Sequence, residues 1–293
     1  MTSVTVGGLT FFNSYTPRED GVALVFDLLS GWHGGVSTRG DSTPRPGAHG
    51  DFAERSWRGA RAPGLRGSAV CPSRAAAAVV ADELAGVLAD GSLGPFEVAD
   101  PDQGTRTARV RLVAADVSWD RSSTVVDFDF QFLAPDPLRY GAPVTATTTF
   151  PVQRGGLEYD LYTDGAGTDL GYLDYGDAPA TGTATLTNEG TADSWPIFEV
   201  TGPVGGDGFE LVEVGTGRRI VFADSVPAGS SLVVDSAAGA GSAVIGGAAD
   251  RGGSLTVLEW FPVPARGSTQ VAFVPRGGTS AAVLSVSFSP AWW

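Results

Sequence analysis

Apolar residues near the start of the chain recur with a period of two, the spacing of half-buried strands. "SVTVGGLTFF" and "VALVFDLLSGW" read as strands, and the second places Val22, Leu24 and Phe26 on one face. The alternation is cleanest in "TVVDFDFQFL", where Val126, Phe128, Phe130 and Phe132 interleave with Asp127, Asp129 and Gln131. One face of that strand belongs in a core, and the other meets solvent or a polar partner. "TARVRLVAADVSWD" pairs with it through the turn "DRSS".

One segment changes period. "CPSRAAAAVVADELAGVLADG" predicts a helix over about 73–90, with Ser73 as N-cap and Gly91 as the stop. Val80, Leu84, Val87 and Leu88 share one face at helical spacing, so the stripe should pack on a sheet. Upstream, residues 31–52 are dense in Gly, Pro, Asp and Arg and predict a long exposed loop suited to partner binding. "APDPLRYG", with two prolines, closes a first domain over 1–138.

From about residue 144 onward short strands alternate with Gly- or Pro-bearing turns, and "VGTGRR" reads as a hairpin turn. That density predicts a jelly-roll β-sandwich over 139–293. Within it, "LTNEGTADSWPIFEVTGP" reads as a joint between two strands. Asn188 and Gly190 suit a tight turn with positive φ, Asp193 and Ser194 can bond nearby backbone, and Pro196 fixes the next strand's entry.

Composition narrows the function classes. The 293 residues fit two domains, and Gly (41) with Pro (19) forms about a fifth of the chain, as turn-rich β proteins require. Net charge is −14, and every one of the 19 basic residues is Arg, which argues against non-specific nucleic-acid binding. The Arg-only usage suggests a GC-rich genome. A single cysteine, Cys71, precludes an intrachain disulfide and reads as a small buried hydrophobe. "MTSVTVGGLTFF" lacks an export signal, and "AAAAVVA" is too short to span a bilayer, so the expectation is a soluble protein made in a reducing cytoplasm.

Catalytic and metal chemistry find no footing. His33 and His49 lie beside the Gly/Pro loop without zinc-ligand spacing, and no nucleophile elbow or phosphate-cradling loop occurs. The acids of 164–179 lack the spacing and closing Glu of a calcium loop. No catalytic residue, metal or cofactor is assigned. Trp195 and Trp260 are candidates for stacking on sugar, although Trp260 sits in an apolar run and Trp195 at a strand entry. The adjacent Trp292 and Trp293 need something to dock against, in the same domain or a neighbouring subunit.

Several segments together resemble a known family. "NEGTADSWPIFEVTGP", the crossover "FQFLAPDPLRYG", the loop "LSGWHGG" with "RGDSTPRPGAHG", and the closing "SVSFSPAWW" are similar to segments of the distal tail proteins, or minor tail proteins, of long-tailed phages infecting high-GC Gram-positive hosts. The resemblance spans essentially the whole chain. It implies a mainly β fold: an amino-terminal β-sandwich or barrel-like domain with one α-helix, ring-forming and belt-like, followed by a galectin-like jelly roll.

It also implies a structural hub in the virion at the distal end of the tail, assembled in the host cytoplasm. The implied partners are further copies of itself in a closed ring, commonly a hexamer, the tail tube protein, and the tape measure and tip proteins. Nucleic-acid binding and membrane insertion are not expected. Ring closure needs two complementary faces, and Arg39, Arg45, Arg58 and Arg61 with Trp292 and Trp293 are the expected assembly contacts. The alternative is a carbohydrate-binding module that grips cell-wall polysaccharide through Trp195 and Trp260.

Overall fold

The structure is a computed structural model that describes residues 1–40, 42–52, 55–151, 181–237, 242–278 and 281–293. The chain divides into two compact units. The first comprises Met1–Ala142 with Ala291–Trp293, and the second Pro143–Pro290. The acids of 164–179 lie outside the described residues. The protein is mainly β with one α-helix among the described residues, as the alternating patterns predict.

The first unit is a barrel-like sheet. Its strands are β1 (Ser3–Val6), β2 (Leu9–Phe12), β3 (Ala23–Ser30), the two-residue strands β4 (Thr38–Arg39), β5 (Thr43–Pro44), β6 (Asp51–Phe52) and β7 (Trp57–Arg58), then β8 (Gly64–Val70), β9 (Gly94–Asp100), β10 (Gly104–Ser118), β11 (Val125–Leu133) and β12 (Arg139–Tyr140). Seven of them run in the order β11-β8-β3-β2-β1-β9-β10, and pairing of β10 with β11 closes the ring. Closure leaves those strands without free edges. Bulges lie in the β3–β8 and β10–β11 ladders, where the wall must bend. At the first of these a Cβ on Gly67 would meet the Val25 carbonyl oxygen at 2.0 Å, so only glycine fits.

The period-two pattern of β11 explains the barrel's interior. Val126, Phe128, Phe130 and Phe132 are buried, while Asp127 and Gln131 are exposed. A chain of rings runs from Phe11 to Phe128 (5.0 Å), Phe130 (5.4 Å), Phe132 (6.0 Å), Phe96 (5.3 Å) and Trp32 (5.2 Å). Each such buried side chain stabilises the fold by about 1.5–3 kcal/mol.

Helix α1 (Arg74–Ala85) packs against β8, β10 and β11 and adds Ala77, Val80 and Leu84 to the same core. Ser73 is the N-cap, accepting from Ala76 N, as expected. The helix stops at Gly86 rather than continuing to 90. Gly86 carries the cap at the weakest helix-forming position in the run, and Leu88 then adopts φ 47°. Val87 stays in the core from the following turn.

The second unit is a two-sheet sandwich with every pairing antiparallel. It contains β13 (Val144–Thr149), β14 (Thr183–Asn188), β15 (Ile197–Thr201), β16 (Phe209–Glu213), β17 (Arg219–Phe222), β18 (Ser231–Asp235), β19 (Ser242–Ile245), β20 (Ala249–Asp250), β21 (Leu255–Leu258), β22 (Gly267–Pro275) and β23 (Val283–Phe288). One sheet orders as β13-β23-β15-β18-β19-β20 and the other as β14-β22-β16-β17-β21. Between them lie Leu186, Phe198, Phe209, Phe222, Phe261 and Phe273, with Phe150 stacked on Phe273 at 3.9 Å. The "VGTGRR" turn joins β16 to β17 as expected.

The segment 186–203 is a joint of this sandwich, though by a different device from the expected one. Neither Asn188 nor Gly190 has positive φ. Asn188 is buried instead, and its amide donates to the carbonyls of Ala192 (2.9 Å) and Val263 (3.1 Å). Its Oδ1 accepts from Gly190 N at 2.8 Å. Asp193 accepts from Ala265 N at 2.9 Å, and Ser194 Oγ donates to the Ser289 carbonyl. One short segment thereby ties β14, the approach to β22 and the chain beyond β23.

Candidate functional site

Between β3 and β8 the barrel wall projects an arm. Trp32 is buried at its root, packed on Phe96. Gly31 beside it has φ +66°, and a Cβ there would lie 2.1 Å from the Ala62 carbonyl oxygen. The two flanks of the root therefore meet backbone to backbone. Beyond the root, β4 pairs with β7 and β5 with β6, and all eight of these residues are exposed. With so little buried there, the arm's shape rests on these short ladders.

Arg39, Arg45 and Arg58, expected as assembly contacts, lie exposed on this arm. Arg45 sits over the Phe52 ring at 5.6 Å, and Arg55 over Trp57 at 4.3 Å. Phe52 and Trp57 are themselves 52% and 57% exposed, so the arm offers stacked cation–aromatic pairs to whatever approaches.

Arg61 departs from that expectation. It is fully buried and braces the root from within. Its Nε donates to the Pro137 carbonyl at 2.9 Å, and its Nη1 to those of Gly31 (3.1 Å), Trp32 (2.8 Å) and Gly34 (2.9 Å). Arg61 is thus a structural clamp with no surface to offer a second subunit. Sequence spacing gave no signal of this, since Arg58 and Arg61 occupy the same Gly- and Arg-rich stretch.

Trp292 and Trp293 dock within the first unit. A final strand, β24 (Ala291–Trp292), pairs with β12, placing Arg139 opposite Trp292. Arg106 lies over the Trp292 ring at 4.3 Å, and Arg58 over Trp293 at 5.0 Å. Arg139 is also buried, donating to the Trp32 carbonyl at 3.0 Å and to the Trp293 carbonyl. Burial, with Arg61 and Arg106 nearby, lowers its guanidinium pKa to about 10. Burial likewise lowers Arg61 and Arg106. Desolvation and the bond to Asp136 push the Tyr140 phenol well above its usual range. The closing residues, read from sequence as part of a second domain that begins at 139, lie in the first unit together with β12.

The candidate sugar-stacking residues lie in the second unit. Trp195 is 36% exposed, whereas Trp260 packs partly against the sandwich core. His33 and His49 are exposed on the arm, and no group of three or more His, Cys, Asp or Glu is placed to hold a metal among the described residues. Cys71 is buried, and burial raises its thiol pKa, the reverse of an activated nucleophile. No helix among the described residues is long and apolar enough to cross a membrane.

No protein-family model matches the chain, and no curated protein does. Solved structures match in fold. The SPP1 Dit protein, described as a paradigm of the hub adsorption apparatus in phages infecting Gram-positive hosts, aligns over 100% of both chains with a TM-score of 0.65 and 12% identity. The phage P2 baseplate in its activated conformation with Ca aligns over 91% of this chain and 90% of that one, with a TM-score of 0.50 and 10% identity. The same baseplate with Sr aligns over 98% of each chain, at 0.50 and 9%. At such identities the likeness is one of fold, and it runs through both units.

Proposed function

We propose that the protein is a structural hub of a phage tail tip. It forms a closed ring, most simply a hexamer, in the virion at the distal end of the tail. There it joins the tail tube to the tape measure and tip proteins, after assembly in the host cytoplasm. The observation that carries this reading is the fold likeness to the SPP1 Dit protein over the entire chain, barrel and sandwich together. In this reading the second unit is a galectin-like jelly roll, the phage infects a high-GC Gram-positive host, and no residue is catalytic.

The arm and the tryptophan strand suit such a role, because stacked Arg–aromatic pairs are the composition of interface centres. Light scattering behind a sizing column tests it. The expected result is a discrete closed oligomer, most simply six times 30.1 kDa. A chain that stays monomeric at every concentration and binds no tail tube protein refutes it. The half-open face of Trp195 favours a second reading, a cell-wall polysaccharide module. Polysaccharide binding that Trp195→Ala abolishes is its test.

A further inference from the structure

The outer face of the barrel wall formed by β3, β8, β10 and β11 carries an unpartnered groove of about 340 Å³. Its lining includes Asp27, Asp116, Asp127 and Asp129 against a single guanidinium, Arg66. Arg66 reaches Asp27 at 3.5 Å, an exposed pair of little energetic consequence. The register adds a conflict. Asp129 stands between Asp116 on β10 and Arg66 on β8, so it faces a like charge on one side and, on the other, a guanidinium that also pairs with Asp27. Opposed carboxylates destabilise a sheet; Arg66 offsets that cost on the β8 side, and a cation laid across Asp116 and Asp129 from outside would relieve the rest.

The complementary surface is on the same chain. In a protein of net charge −14 that has no lysine, four of 19 arginines fall at 39, 45, 55 and 58, on the exposed arm. They stack on Phe52, Trp57 and Trp293, or stand on β4, and none makes an ion pair among the described residues. Among the described residues no hydrogen bond, ion pair or cation–π contact joins arm to groove within one chain. Two different faces that complement each other are what a head-to-tail ring requires.

We propose that the groove on the β3–β8–β11–β10 wall receives the arm of a second copy of this chain, with Arg45 and Arg55 lying against Asp116 and Asp129. This rests on the self-assembly reading above and names its contact. Electrostatic complementarity of this kind fixes partner and register, and it weakens with salt.

Two variants test it. Asp116→Arg with Asp129→Arg spoils the groove and leaves the arm intact. Arg45→Gln with Arg55→Gln spoils the arm and leaves the groove intact. All four positions are at least partly exposed, and circular dichroism and thermal unfolding establish that each variant folds. Each alone is expected to lose the wild-type oligomer. Mixed, they retain one good arm and one good groove, so the expected product is a 1:1 dimer of twice 30.1 kDa that grows no further. If the wild type assembles and both variants assemble equally well, this contact is overturned and the ring reading stands. If both variants are folded monomers and their mixture stays monomeric, head-to-tail arm-in-groove pairing is overturned. A wild type that never self-associates removes the ring reading and this contact with it.

Discussion

Replacing Arg61 with Met separates a clamp from a surface contact. The substitution keeps an unbranched apolar stem and removes a guanidinium that makes four bonds to the carbonyls of Gly31, Trp32, Gly34 and Pro137. Bonds from a charged donor contribute about 1.5–3 kcal/mol each, so four amount to roughly 6–12 kcal/mol before costs. Against this, burying the cation costs several kcal/mol that the variant recovers. Repulsion from Arg58 and Arg139 is recovered as well.

The balance is a loss of about 3–5 kcal/mol, the usual result of breaking a buried charged network from one side. Total stability is only about 5–15 kcal/mol, so the loss should be plain in urea unfolding. Arg58→Met, three residues away and exposed, loses among the described residues its contact with Trp293, for less than about 1 kcal/mol. Faster hydrogen exchange across 31–34 should accompany Arg61→Met alone. A loss below about 1 kcal/mol at Arg61, or equal losses at the two sites, refutes the clamp.

Asn188→Ala strips the Ala192 carbonyl and the Gly190 N–H of their partner and leaves the Val263 carbonyl with the Ser194 N–H alone, so chemical unfolding should register a loss of about 2 kcal/mol. Ser73→Ala removes the helix cap at Ala76 N and should cost about 1 kcal/mol; a neutral result would mean tertiary packing alone holds the first turn. Main-chain N–H donors of Val22, Asp102 and Ser122 hold Asp20, Asp100 and Asp120 below the ordinary aspartate value. Depressed carboxylates add stability that is present above their unfolded pKa and is lost as pH falls through the folded one. Urea midpoints measured from pH 5 down to about 2 should therefore fall less steeply in Asp20→Asn/Asp100→Asn/Asp120→Asn than in the wild type; parallel curves would contradict this.

Local pattern was enough to read the barrel's aromatic strand and the start of its helix. The period of β11 assigns Phe128, Phe130 and Phe132 to a core without knowledge of any neighbour, and Ser73 caps the backbone three residues on. These signals are legible because cause and effect lie within a few residues. The helix end was less so, since Val87 and Leu88 keep the apolar stripe past the glycine that ends the turn.

The roles of Arg58 and Arg61 were decided only in three dimensions. Neighbours in sequence and alike in chemistry, one lies over Trp293 and the other donates to a carbonyl 76 residues away. The docking of the closing tryptophans depends on the pairing of β12 with β24, which lie about half the chain apart in sequence. The groove follows the same rule. Asp116 and Asp129 belong to strands that read separately as ordinary amphipathic runs, and only the register past a bulge sets them opposite each other. Alternation can say which face a residue takes, but the partner across the ladder is fixed by the closure of the whole barrel.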